Sequence, residues 1–352
     1  MSLLAALAAS AVLVQPAPEK QPMPAKPAAP APVASGTSIF QVAKTFDVDG
    51  DGAWDYLAID SAAKRLYVPR STYVMVLDSE SGAKVGQIDD TQGVHGVALA
   101  TDLGKGFTSN GRAGSVTVFD LKTWKPLKVV TVGQNPDSIV YEPTTKRVFA
   151  FNGRSNDATV INAEDFSVVG TIPLGGKPEF SVVDGAGKLF VNIEDKSELL
   201  QIDPKEMKVI QRWPLAPGEE PSGLAIDIKN NRLFAVCSNQ KMVVVDASSG
   251  HVLATPEIGK GTDGATFDAI GGYAISSNGD GTATIISTQN NKFEVAQTLL
   301  TAPRARTCVI DPKTRTIYLP TAEFEAPKQG ERRPAMKPNT FKIVVVTPNP
   351  AH

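Results

Sequence analysis

Residues 95–136 read HGVALATDLGKGFTSNGRAGSVTVFDLKTWKPLKVVTVGQNP. The segment contains a short apolar run, a polar turn, a second apolar run, a Gly/Asn-rich turn and an alternating run that ends in Asp120. Residues 137–178 repeat the same order. Short runs with turn residues between them predict antiparallel strands joined by tight turns.

This unit recurs along the chain with a period of about 41 residues. Successive units begin 40, 42, 42, 43, 41 and 43 residues apart. A period near 40 with four strands per unit is typical of a β-propeller blade. In the first unit we expect strands at 57–60, 65–68, 73–78 and 84–88. The unit starts are Trp54-Asp55, His95-Gly96, Asp137-Ser138, Glu179-Phe180, Ser222-Gly223, Asp263-Gly264 and Arg306-Thr307.

Seven units predict an all-β, seven-bladed propeller of four-stranded antiparallel blades over residues 38–348. The seventh unit leaves no room for a fourth strand after Phe341–Val346. The segment Ile39–Phe46 precedes the first unit and alternates like a strand. We expect it to complete the last blade and close the ring, because this pairing removes an exposed sheet edge.

The residues before the propeller predict export. Residues 1–14 are apolar and Ala-rich, resembling a signal segment without its basic first part, and Ala9-Ser10-Ala11 offers a small-x-small cleavage site. The apolar run is too short to span a bilayer. Residues 15–37 are rich in Pro and Ala, which predicts an extended linker. Together these features favour the bacterial periplasm or the cell surface.

Composition argues against several functional classes. The chain has 35 basic and 37 acidic residues, a balance that does not favour nucleic-acid binding. Its three His and two Cys are few for a haem, copper or zinc protein. The phosphate-binding Gly-x-x-x-x-Gly-Lys motif and the Gly-x-Ser-x-Gly motif of hydrolases are both missing from the sequence. We therefore expect no haem, nucleotide or flavin, and we expect a monomer.

The unit starts predict a charged site on the propeller axis. Each precedes an innermost strand, so we expect them to meet at one mouth of the ring. We call this set the axial ring. Several charges around one axis would perturb one another's pKa values, as in many binding sites. The axial ring consists of Asp55, His95, Asp137, Glu179, Ser222, Asp263 and Arg306.

Further ligand-binding candidates come from loops expected on the same face. They are Asn110, Asn152, Asn239, Asn278 and Glu323. The alternative interpretation is that the Asn side chains only hydrogen-bond turns, as Asn often does.

A second motif predicts a cation site. Residues 47–55 follow the pattern D-x-D-x-D-G-x-x-D. Oxygen ligands at alternate positions, with Gly permitting the tight turn, suit Ca²⁺. The predicted calcium ligands are Asp47, Asp49, Asp51 and Asp55. A Gly/Asp-rich turn without an ion is the alternative.

Blade seven contains an insertion at residues 324–340. It carries four basic residues, Lys328, Arg332, Arg333 and Lys337, against Glu325 and Glu331. We expect either a lid over the mouth that contacts an anionic partner or a plain surface loop.

The chain resembles the YncE-like family of YVTN-repeat β-propellers over about residues 39–348. The resemblance implies a seven-bladed propeller outside the cytoplasm, without one defined activity. It also implies a Cys near Gly218 paired with Cys237, and that partner is missing here. The motifs that carry it are Trp54-Asp55-Tyr56, His95-Gly96-Val97, Thr108-Ser109-Asn110-Gly111, Gly133-Gln134-Asn135-Pro136-Asp137, Phe151-Asn152-Gly153, Gly176-Lys177-Pro178-Glu179, Ser277-Asn278-Gly279, Ala305-Arg306-Thr307 and Tyr318-Leu319-Pro320-Thr321-Ala322-Glu323.

Three functions remain open at this point. The first is an exported module that binds a small molecule or a protein at the charged mouth. The second is a metal-dependent propeller hydrolase, lactonase or lyase, with His95, Glu179 or Asp263 as the general base. The third is a structural or surface-interaction protein without a small-molecule site.

Overall fold

Seven four-stranded antiparallel sheets form the protein. The computed structural model describes residues 38–48, 50, 52–326 and 334–350. The predicted signal segment (1–14), the predicted linker (15–37) and the middle of the blade-seven insertion lie outside the described residues. The innermost strand of each blade contacts the innermost strands of both neighbouring blades, so the sheets form a closed ring. The predicted seven-bladed propeller is confirmed.

In blades 1 to 6 the strands follow chain order from the inside to the outside. The first strand of the chain, β1 (Phe40–Asp47), belongs to blade 7. Blade 1 contains β2 (Ala58–Asp60), β3 (Arg65–Arg70), β4 (Tyr73–Asp78) and β5 (Lys84–Ile88). Blade 2 contains β6 (Val94–Ala100), β7 (Lys105–Asn110), β8 (Ser115–Asp120) and β9 (Pro126–Thr131). Blade 3 contains β10 (Pro136–Glu142), β11 (Arg147–Asn152), β12 (Asp157–Asn162) and β13 (Val168–Pro173).

The remaining blades repeat this arrangement. Blade 4 contains β14 (Pro178–Val183), β15 (Leu189–Ile193), β16 (Glu198–Asp203) and β17 (Lys208–Pro214). Blade 5 contains β18 (Pro221–Asp227), β19 (Arg232–Cys237), β20 (Lys241–Asp246) and β21 (Val252–Ala254). Blade 6 contains β22 (Thr262–Asp268), β23 (Tyr273–Asn278), β24 (Thr282–Ser287) and β25 (Glu294–Leu300). Blade 7 contains β26 (Val309–Ile310), β27 (Ile317–Thr321), β28 (Lys342–Pro348) and β1.

The two ends of the propeller pair to close blade 7. Strand β1 runs antiparallel to β28, from Phe40 opposite Pro348 to Asp47 opposite Lys342. The Gln297 side chain of blade 6 accepts hydrogen bonds from the N–H groups of Ile39 and Phe40 and donates one to the Phe40 carbonyl. The predicted closure by the N-terminal strand agrees with this pairing.

The hydrophobic core lies between the blades. The second and third strands of each blade are buried on both faces, because a neighbouring blade covers each face. This explains their near-continuous apolar runs, such as Val243, Val244 and Val245 in β20, all fully buried.

An acidic or amide residue ends the third strand in most blades and caps the turn that follows. In blade 2, the Asp120 carboxylate accepts hydrogen bonds from the backbone N–H groups of Lys122 and Thr123 at 3.0 and 2.8 Å. These N–H donors, with the Thr123 hydroxyl, hold the pKa of Asp120 below its usual range. These repeated carboxylates therefore stabilise turns.

Both cysteines of the described chain are free, and Cys237 is buried. A Cβ atom added at Gly218 would lie 2.7 Å from Cys237 Sγ. Within the described part of the chain, no helix combines the length and the apolar character needed to cross a bilayer.

Candidate functional site

The axial ring surrounds one cavity of about 740 Å³. His95, Asp137 and Glu179 are each the second residue of an innermost strand, in β6, β10 and β14. These strands begin at the same end of the ring, so their side chains converge. Ser222 and Asp263 hold the same position in β18 and β22. Asp55 and Arg306 lie in the loops before β2 and β26, and all seven residues line the cavity.

Three side chains from blades 1, 2 and 3 form a close cluster in this cavity. His95 Nδ1 lies 2.7 Å from Asp55 Oδ2 and 3.5 Å from Asp137 Oδ1. One ligand atom from each residue lies within 4.8 Å of the other two. All three side chains are partly buried. The cluster can share a proton or hold a cation.

Two ion-pair groups also line the cavity. The Lys177 ammonium contacts Glu179 Oε1 at 2.7 Å and also contacts Glu194. The Arg306 guanidinium lies 3.0 Å from the Asp263 carboxylate. Each cation of these two groups is therefore matched to at least one carboxyl group.

Burial and crowding raise the pKa values of three carboxyl groups. Burial, together with the charge of Asp137, raises the pKa of Glu179 to about 8. Burial also raises the pKa of Asp263 to about 7, although Arg306 opposes the rise. For Asp137, burial raises the pKa to about 6 against the lowering effect of His95. These groups therefore exchange protons near neutral pH.

His95 is charged at neutral pH in this environment. Burial by itself lowers the pKa of His95, but the hydrogen bond with Asp55 and the charges of Asp137, Asp55 and Glu179 outweigh it. The net result is a pKa of about 9. A carboxylate on either side of an imidazolium stabilises its charge.

Tyr56 forms part of the cavity wall and was missed as a site residue in the sequence. Its side chain is 6% exposed, and its ring centroid lies 4.7 Å from that of Phe180, in blade 4. The phenol has no hydrogen-bond partner among the described residues. Burial and the charges of Asp263, Glu179, Asp55 and Asp137 raise its pKa well above the usual value. The available sequence signal was an aromatic residue directly after the axial-ring residue in two of the seven units, Tyr56 after Asp55 and Phe180 after Glu179.

Two exposed arginines at the cavity wall were also missed. Arg112 and Arg154 follow β7 and β11 in blades 2 and 3, and both line the cavity. Neither forms an ion pair within the described residues. Each is the second residue after the Asn that ends a second strand, and this repetition was visible in the sequence.

The predicted Asn candidates do not line this cavity. Asn110, Asn152 and Asn278 are fully buried within their blades. Their amides bond to hydroxyls of the next strand, as between Asn278 and Thr284 at 3.1 Å. Asn239 lies in a turn, where it bonds to the backbone of residues 217 and 219. The structure therefore supports the alternative interpretation, in which these amides stabilise strands and turns.

Glu323 and the described part of the insertion lie beside the cavity. Glu323 is exposed and contacts Lys337 and Lys342 at 3.4 and 3.9 Å. Phe324 contacts Trp54 at 6.0 Å between ring centroids, and the Arg304 guanidinium lies over the Phe324 ring at 4.2 Å. Lys328, Glu331, Arg332 and Arg333 lie outside the described residues.

Of the four predicted calcium ligands, only Asp47 and Asp55 belong to the described residues. Asp49 and Asp51 lie outside the described residues, and the Asp47 side chain is exposed at the end of β1. Asp55 contacts His95 instead. The buried Arg70 guanidinium donates hydrogen bonds to the carbonyls of Gly50 and Gly52 at 2.6 and 2.9 Å. A cationic side chain thus already binds two carbonyls of this loop, and calcium binding stays a prediction.

Comparison with known proteins supports the fold. No protein-family model matches the chain, and no curated protein matches it in sequence. Many solved structures resemble it. Hydrazine synthase from Kuenenia stuttgartiensis matches with a TM-score of 0.68 at 14% identity, over 77% of this chain and 94% of that chain. U3-55K matches with a TM-score of 0.72 at 9% identity, over 87% and 98%.

The WD40 repeats of RRP9 match with a TM-score of 0.74 at 9% identity, over 89% of this chain and 99% of that chain. At these identities the likeness concerns the fold and leaves the activity open. The chain is a seven-bladed β-propeller.

Proposed function

We propose that this propeller binds a small cationic ligand in the axial cavity. The observation that carries the proposal is the convergence of charges from several blades on one cavity of about 740 Å³. Ligand cavities commonly have volumes of about 300–1,000 Å³. Gathering these charges costs free energy unless they are paired, and small neutral residues would fill the positions without that cost.

The expected charge of the ligand follows from the charges of the residues that line the cavity. The described lining residues include five acidic residues and, besides the exposed Arg112 and Arg154 of the cavity wall, three cationic residues. The acidic residues are Asp55, Asp137, Glu179, Glu194 and Asp263, and the cations are His95, Lys177 and Arg306. Burial and the charges of neighbouring carboxylates raise the pKa values of three of these acids, Asp137, Glu179 and Asp263. A cationic group from a ligand would stabilise their ionised forms.

Titration calorimetry at pH 8 tests this function with 1,4-diaminobutane as the dication and succinate as the dianion. We expect the diamine to bind and succinate not to bind. Asp263→Asn should weaken the diamine at least tenfold, because it removes a carboxylate from the cavity. Glu206→Gln, an exposed residue in a distant turn, is the control. No diamine binding, or equal binding by the Asp263→Asn variant, would overturn the proposal.

A second candidate function is a metal-dependent hydrolase, lactonase or lyase at the same cavity. Groups that titrate near neutral pH favour it, because an efficient general base has a pKa near the working pH. Glu179 and Asp263, with pKa values of about 8 and 7, meet this condition better than His95 at about 9. Screening lactone and ester substrates with the wild type and Glu179→Gln tests this candidate. Turnover that persists unchanged in Glu179→Gln would exclude Glu179 as the base.

The cellular setting is part of the proposal. The signal-like residues 1–14 and the Pro/Ala-rich residues 15–37 support export to the periplasm or cell surface. A monomer that belongs to the YncE-like family is part of the same proposal. Fractionation of cells that express the full chain tests the location, and recovery only in the cytosol would contradict it. The structural or surface-interaction alternative would show neither ligand binding nor turnover.

A further inference from the structure

We propose that Asp55, His95 and Asp137 form a binding site for a divalent transition metal ion, with Zn²⁺ as the preferred probe. The proposal deepens the second candidate function and uses the same cavity as the first. Its test is chosen so that either proposal can fail without the other.

The geometry of the three side chains supports the site. One ligand atom from each residue lies within 4.8 Å of the other two. A metal about 2.0–2.2 Å from each ligand requires the ligand atoms to lie roughly 3–4 Å apart. His95 Nδ1 lies 3.5 Å from the Asp137 carboxylate, within this range, and 2.7 Å from the Asp55 carboxylate, a hydrogen-bond distance that a bound metal would widen. Small side-chain adjustments are therefore enough to bring the three residues into coordination.

The backbone of all three residues is held in place by neighbouring parts of the propeller. His95 and Asp137 lie in β6 and β10, innermost strands that pack against each other. Asp55 is held through its carbonyl, which accepts a hydrogen bond from Thr307 Oγ1 at 3.2 Å. The backbone N–H of Tyr56, the next residue, donates to the His95 carbonyl at 3.1 Å. A metal site needs ligands on such rigid elements.

Tyr56 places a hydroxyl group beside the cluster. The residue directly follows Asp55, is 6% exposed and lines the same cavity. No group of the described residues hydrogen-bonds its phenol, and the phenol oxygen is open to the cavity. A water or ligand group bound to a metal in the cavity could therefore hydrogen-bond this hydroxyl.

The donor set points to a transition metal rather than calcium. Calcium prefers six to eight oxygen ligands, whereas an imidazole nitrogen that has released its proton, together with two carboxylates, suits zinc and related ions. Three protein ligands also leave a coordination position open to the cavity, as in catalytic zinc sites. The calcium pattern at residues 47–55 is thus a different hypothesis that shares Asp55.

The experiment measures Zn²⁺ binding to the full chain after chelator treatment, by titration with a competing chromophoric chelator. We expect one Zn²⁺ per chain to bind through these residues, and Ca²⁺ to bind more weakly. His95→Ala should weaken Zn²⁺ at least tenfold, and so should the nearly isosteric Asp137→Asn, which also covers the case that His95→Ala fails to fold. His251→Ala is the matched control, because His251 is exposed in the turn before β21.

Each result decides the proposal. Zn²⁺ binding that is lost in both cavity variants and kept in His251→Ala supports it. No binding by the wild type, binding unchanged by both cavity variants, or tighter binding of Ca²⁺ than Zn²⁺ would overturn it. Diamine titration in the presence of chelator separates the two proposals. Diamine binding without Zn²⁺ binding would refute only the metal-site proposal. Zn²⁺ binding without diamine binding would refute only the cationic-ligand proposal.

Discussion

Carboxylates in this protein fall into two classes according to what surrounds each residue. Asp120 and Asp78 accept N–H hydrogen bonds in exposed turns, which lowers their pKa values. Glu179 and Asp263 are buried beside other acids, which raises theirs. The first class stabilises turns without a functional cost. The carboxyl groups of the second class lie close together at one cavity, an arrangement that disfavours their ionised forms. Such clusters are typical of functional sites.

Glu179 makes the stability of the protein depend on pH. Its pKa is about 8 in the folded protein and 4.5 in its ordinary state, so the folded chain binds the extra proton between these values. The free energy of unfolding therefore falls as pH rises through this window, by up to about 1.4 kcal/mol per pH unit from one such group. We expect Glu179→Gln to flatten this decline. Urea denaturation at pH 5, 7 and 9 measures it.

The exposed Glu206 supplies the comparison for this measurement. Glu206→Gln should leave the pH profile of stability parallel to that of the wild type. Loss of the contact with Lys177 in Glu179→Gln adds an offset at every pH, whereas the proton effect changes the slope. An unchanged slope in Glu179→Gln would show that Glu179 is already ionised at pH 5.

The strands were predictable because each element follows from local residue patterns. In blade 1 the expected strands at 73–78 and 84–88 match β4 and β5, and the other two differ by one or two residues at one end. The direction of the Asn side chains was not predictable in this way. Asn110 and Asn278 end their strands next to the mouth, but their amides turn back toward hydroxyls on the third strand. That choice depends on tertiary burial, which the repeat pattern does not encode.

Asn278 is expected to stabilise blade 6 and to contribute nothing to ligand binding. Its amide donates to Thr282 and Thr284, and it accepts a hydrogen bond from Ser276 at 2.7 Å, all inside the blade. Asn278→Ala leaves buried hydroxyls with fewer partners, so we expect a loss of about 1–3 kcal/mol in the free energy of unfolding. Thermal and urea denaturation measure the loss.

The turn residue Asn239 is the matched control, since it is only partly buried. Asn239→Ala should cost less than Asn278→Ala. Diamine and Zn²⁺ affinities should stay unchanged in both variants. A tenfold fall in either affinity for a folded Asn278→Ala protein would show that this amide takes part in ligand binding.

The number of blades could be predicted because it equals the number of sequence repeats. The residues that line the axial cavity could be predicted only in part. The axial ring follows from the unit starts, whereas the Tyr56–Phe180 contact joins blades 1 and 4 and has no local signal for its distance. Arg112 and Arg154 reach the cavity from loops after the second strands, at positions that only the assembled ring reveals. The periodicity of the sequence predicts the strands, whereas the side chains that share a cavity depend on how the closed ring assembles.

Closure of the ring by β1 is expected to contribute strongly to the stability of the whole propeller. Phe40 is fully buried, packs with Ile317, Leu319 and Val346, and meets Tyr273 of blade 6 edge to face at 6.2 Å. Phe40→Ala should lower the free energy of unfolding by about 3–5 kcal/mol, as is usual for a buried Phe. Leu127→Ala, on an outer strand where the side chain is 49% exposed, should cost much less. Limited proteolysis should cut Phe40→Ala within β1 before any other strand of the propeller, because a weakened strand at the outer edge of a blade opens first. Equal stability losses in the two variants, or first cleavage in another blade, would show that the pairing of β1 with β28 does not control the integrity of the ring.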